Sequence, residues 1–151
     1  MITALLRLAF YAAIGPVLLA AAGNIAIAFA LAFGLAAAEP GAGPLDVFSG
    51  FLSPENLTQS YRIGFIPMVA IGIVAVLLSY ALEGWRHWLA VAFGSASISA
   101  ALAWFAFVAA PVGDGINPFL FAGVAAFAGA LAGFVCAVLF DLIAGALRAR
   151  A

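Results

Sequence analysis

The sequence predicts an all-α polytopic membrane protein: four transmembrane helices packed as a bundle, with both termini cytoplasmic. Three observations predict it. Of 151 residues, 68% are hydrophobic and 7% charged, where soluble domains carry roughly 45–50% and 25%. A chain of this size cannot hide that much apolar surface from water. Four charge-free runs, at 8–38, 63–82, 88–113 and 115–140, are 31, 20, 26 and 26 residues long. About 20 residues suffice to cross roughly 30 Å of hydrocarbon. None of the runs alternates as a strand would, and a helix satisfies its own backbone hydrogen bonds in lipid.

The first helix is expected over about 4–38, longer than a bilayer needs; tilt or a kink at Gly15-Pro16 absorbs the excess. Ala36-Ala37-Ala38 before Glu39 has the small-residue look of a cleavage site. The apolar region is far longer than the about 7–15 residues of a signal peptide, so the span is expected to stay. An outer loop, 39–53, opens with EPGAGP, whose prolines and glycines break the helix. Its Leu45, Val47, Phe48, Phe51 and Leu52 are expected on the bilayer surface, with a partner-binding patch as the alternative.

The second helix, 54–83, starts with Ser53 as N-cap, Pro54 at the first position and Glu55 favourable to the dipole. Residues 83–87 then form a short cytoplasmic turn in which Trp85 and Trp88 anchor at headgroup level and His87 is an exposed imidazole. The third helix is expected over 87–110 and the fourth over 118–147, the latter opened by Asn117 as cap and Pro118 in the first turn. Arg7, Arg86, Arg148 and Arg150 then fall on one side and Arg62, beside Tyr61, on the other, which makes the arginine-rich side cytoplasmic.

Helices in lipid attract by close packing, so small residues spaced by four mark contact faces. The fourth helix carries Ala125, Gly129, Gly133, Ala137, Asp141 and Gly145, with GxxxG at Gly129 and Gly133. The first carries Ala12, Pro16, Ala20, Asn24, Ala28, Ala32 and Ala36, where Asn24 serves as an interhelical hydrogen-bonding group. The third offers Ser95, Ser99 and Ala103, with Ser97 turned away. These faces put helices one and four in contact.

An ionisable residue near hydrocarbon is a functional candidate. Glu83, Arg86, His87, Asp141 and Arg148 gather at the inner interface level as a polar cluster. Asp141 is expected to pair with Arg86 across helices, or with Arg148 on its own helix, as a half-solvated structural pair. The chemistry this leaves is narrow. Net charge is −1 with five arginines and no basic run, so nucleic acid has no footprint. Cys136 is alone and His87 is the single histidine, which removes disulfides, Cys-rich metal sites and bis-histidine haem. A serine nucleophile lacks a base: His87 lies eight residues before Ser95, about 12 Å along a helix.

With its basic-aromatic inner turn EGWRHW and its last span ending in LIAGALRAR, the chain resembles small four-helix inner-membrane proteins of GC-rich bacteria. The resemblance covers the whole chain in layout and implies no activity. The expected role is that of a non-enzymatic subunit, assembly factor or scaffold of an inner-membrane complex, without cofactor, contacting lipid and other subunits or itself. The alternative is an oligomeric small-solute or ion transporter, for which Asn24, the serine row, Tyr80, Glu83 and Asp141 would line the path.

Overall fold

The structure, a computed structural model, describes residues 2–32, 54–109 and 117–149. The loop 39–53, the Ser53 cap, the alanines at 36–38 and the turn residues 110–116 lie outside the described residues. Within them the order is α1 (Ile2–Ala32), α2 (Pro54–Leu78), α3 (Gly84–Ala109) and α4 (Pro118–Arg148). Each helix is long and apolar enough to cross a membrane. At 25 to 31 residues, they are about 38–47 Å long.

Local chemistry sets the ends. Asn117 caps α4: its side chain accepts from the backbone N–H of Phe119 at 2.9 Å and of Leu120 at 3.4 Å, and Pro118 fills the first turn. α2 begins at Pro54 but ends at Leu78, five residues before the expected 83, and α3 begins at Gly84 rather than 87. The break falls there because the turn needs a left-handed residue, and Gly84 supplies it at φ +58°. The last carbonyls of α2 are met inside the turn: Ser79 N–H donates to Ala75 O at 3.1 Å, Tyr80 N–H to Leu77 O at 3.3 Å and Leu82 N–H to Leu78 O at 2.9 Å.

The helices form an up-and-down ring. Each packs on its sequence neighbours, α1 closes on α4, and α3 with α4 makes the most extensive contact. Glycines bring the backbones close. A Cβ on Gly64 would lie 3.1 Å from Pro16 Cα, and one on Gly72 would lie 3.0 Å from Tyr11 Cβ, which draws α1 onto α2. Gly129 and Gly133 are buried against Ser99 and Ser95, so the GxxxG face of α4 packs on the serine face of α3. Ala137 is buried on the same face of α4.

On α1 the buried positions are Arg7, Tyr11, Gly15, Pro16, Ala22, Ala26 and Ala30. The expected stripe through Ala12, Ala20, Asn24 and Ala28 is only half-buried. Small residues are so frequent in α1 that their spacing does not select a face. The bundle centre is Tyr11, Met68, Ile71, Ala75, Val91, Ala132, Cys136 and Ala137.

This arrangement gathers the start of α1, the turn 79–83 and the close of α4 at one end, here termed the Arg7 end. The opposite end holds Ala32, Pro54, Ala109 and Asn117.

Candidate functional site

At the Arg7 end a polar knot is set into the apolar interior. Arg7 stands one turn before Tyr11 on α1, and its guanidinium, 11% exposed, reaches α4: Nη2 donates to Asp141 Oδ1 at 2.7 Å. Asp141 accepts a second bond, from the Trp88 indole N–H to Oδ2 at 2.8 Å. Phe140 covers the guanidinium, with Cζ 4.8 Å from the ring centroid. Arg7 Nη1 lies 3.5 Å from the Ala75 carbonyl, at the close of α2, where the helix dipole presents its negative end. One buried cation is thus held by a carboxylate, a helix C-terminus and an aromatic face.

His87 joins them from the first turn of α3. It is 2% exposed and continues by fours into Val91, Ser95 and Ser99, the buried face of that helix. Its Nε2 is 3.0 Å from the Ala75 carbonyl, so this nitrogen carries the proton and donates. Arg7 Nη1, 3.4 Å from Nε2, is then a second donor beside the same carbonyl and not a partner of the ring. Nδ1 faces Asp141 Oδ2 at 3.8 Å, beyond hydrogen-bond reach. His87 and Asp141 thus lie side by side without a direct hydrogen bond.

Above the knot Tyr11 is fully buried and donates its hydroxyl to the Gly133 carbonyl at 3.3 Å, tying α1 to α4. Nearer the middle of the bundle, the Tyr61 hydroxyl donates to the Ala13 carbonyl, next to the turn that Pro16 interrupts. Tyr61 therefore joins α2 to α1.

Of the expected cluster Glu83, Arg86, His87, Asp141 and Arg148, the structure joins only His87 and Asp141. The carboxylate is paired with Arg7 and not with Arg86. Arg86 is exposed and lies over the Trp85 ring at 5.8 Å. Glu83 is exposed in the turn, and Arg148 is exposed in the last turn of α4. His87 is buried instead of exposed because α3 starts three residues early and turns the ring inward. Trp88 likewise bonds Asp141 instead of anchoring at the surface, a role that the exposed Trp85 is placed for. Arg7 had a signal in the sequence: it precedes Tyr11 and Gly15 at spacings of four.

Among the described residues no group of three His, Cys, Asp or Glu side chains is placed to hold a metal ion. Comparison of the chain with protein-family models, with curated proteins and with solved structures finds no match.

Proposed function

We propose that the protein is a multi-pass bacterial inner-membrane protein, N-in and C-in, without catalytic machinery, acting as a subunit, assembly or scaffold partner of a membrane complex. One observation carries the reading: the buried charges are spent on the bundle itself. Arg7 and Asp141 neutralise each other, and Tyr11, Met68, Ile71, Val91 and Cys136, at 0–1% exposure, fill the section beside them. The outward faces carry bulky apolar side chains such as Ile66, Phe93, Phe105 and Phe119, which suit lipid or another membrane subunit. Affinity purification in mild detergent tests it. A stoichiometric membrane partner supports the role; a pure homo-oligomer with solute flux in proteoliposomes overturns it.

The orientation is supported by Arg7, Arg86 and Arg148 sharing one end while Arg62 lies in α2 toward the other. Reporter fusions after Arg150 and within 41–53 check it, and cytoplasmic activity of the second fusion reverses the threading.

A second reading is an oligomeric transporter in which Asp141, a partly exposed carboxylate set among buried side chains, is a coupling group. In that case Asp141→Asn abolishes a proton-dependent flux in proteoliposomes.

A further inference from the structure

Among the described residues, the half of the bundle away from Arg7 encloses open space. A cavity of about 660 Å³ opens between all four helices, bounded below by Pro16 and Pro67 and walled by residues of α1, α2, α3 and α4. It exists because small side chains line it where the other half is filled by large ones: Ala20 and Gly23 on α1, Ala103 on α3, Ala125 on α4. Among the described residues, a Cβ built on Gly23 meets nothing within 4 Å. The size is that of sites for small organic ligands, roughly 300–1,000 Å³, which pair apolar walls with a few polar groups. Here the polar groups are Asn24, from the second half of α1, and Asn56, Gln59 and Ser60, from the first turns of α2. Ser99, at the floor, is 6% exposed and its Oγ has no partner. No ionisable side chain is among the described lining residues.

The side toward lipid is open as well. α2 and α3 make the thinnest contact of any neighbouring pair, and their close approach, where a Cβ built on Gly94 would lie 3.3 Å from Val74 Cγ1, is toward the Arg7 end. Farther along, Ile63 and Ile66 of α2 and Leu102 of α3 line the cavity while remaining exposed.

We propose that this cavity binds an uncharged amphiphile drawn from the bilayer, with an apolar chain against the aliphatic walls and a carbonyl- or hydroxyl-bearing head at Asn24 and Gln59. An ionised head is disfavoured, because the lining offers no counter-charge to offset its desolvation. A neutral glycerolipid and an isoprenoid quinone share this chemistry. The inference rests on the membrane-embedded reading but not on the helper role.

The test uses the full-length protein in nanodiscs, after alkaline carbonate extraction has shown whether it is integral to the membrane. Labelled monooleoylglycerol and decylubiquinone are titrated separately, with phosphatidylglycerol as the anionic competitor. One of the two neutral probes saturates at one per protein and raises the melting temperature. Gly23→Leu with Ala125→Leu fills the space, lowers affinity at least tenfold and keeps the unliganded melting temperature; Asn24→Leu weakens binding with the cavity intact. The proposal is overturned if neither probe saturates, if the filled variant folds and binds equally well, or if phosphatidylglycerol competes as strongly as the neutral probes. Release of the protein by carbonate overturns the membrane reading itself, whereas absent binding to an integral protein removes the site alone.

Discussion

The two halves of this bundle use the same small vocabulary of residues to opposite ends. At the Arg7 end, glycines let helices touch, and the space between them is closed by Tyr11, Met68, Ile71 and Val91 around an ion pair. At the other end, Gly23, Ala103 and Ala125 face one another and leave a cavity. Glycine therefore has no fixed meaning in an apolar helix. Opposite Ser95 and Ser99 it is a contact; opposite other small residues it is an absence. The Arg7 half should resist change, and the cavity half should accept it.

The largest expected effect is at the ion pair. Asp141→Asn removes the counter-charge of a nearly buried guanidinium and should destabilise the bundle by about 3 kcal/mol, as breaking a buried pair does. Because Asp141 is partly exposed, at 29%, the effect belongs at the low end of that range. Thermal unfolding in detergent measures it, and a double-mutant cycle should show strong coupling to Arg7→Leu and none to Arg86→Gln. An effect below about 1 kcal/mol, the scale of exposed pairs, would make the two halves alike.

Gly133→Ala should cost about 2 kcal/mol, because its Cβ would lie 2.7 Å from Ser95 Cβ in a packed interface. Val135→Leu, on a half-exposed position of the same helix, is the control and should stay within about 0.5 kcal/mol. Equal melting temperatures for the two variants would remove the contact face. Tyr11→Phe deletes the hydroxyl bonded to Gly133 O and should cost about 1 kcal/mol.

The smallest expected effect has the opposite sign. Gly23→Ala should stabilise by about 0.5–1 kcal/mol, since alanine favours helix and the new methyl enters open space. Destabilisation there would show that the cavity half is packed as tightly as the other.

Much of this was legible in residues taken singly. Pro54 and the Asn117-Pro118 pair mark helix starts by their own backbone chemistry, and the structure places both there. The knot was legible only in part. Asp141 follows Gly129, Gly133 and Ala137 at spacings of four, so its inward direction could be read from α4 alone. Its partner could not, because Arg7 and Arg86 sit at the same depth and only the ring of helices decides between them. Where α2 ends decided the place of His87. Nothing apolar marks Leu78 as the last residue, and the conformational demand that does lies at Gly84. The cavity was invisible for a different reason: empty volume comes from several helices at once, while hydrophobic composition is the same with or without it.

The Arg7–Asp141 pair also imposes an order on biosynthesis. Its members are separated by 134 residues, and a ribosome adding about 5–20 residues per second needs roughly 7–27 s to go from one to the other. For that interval the first helix carries a guanidinium whose carboxylate has not yet been made. The contact that closes the ring between its first and last helices therefore forms only after Asp141 has been added, and a chain arrested before it leaves the Arg7 guanidinium without its counter-charge.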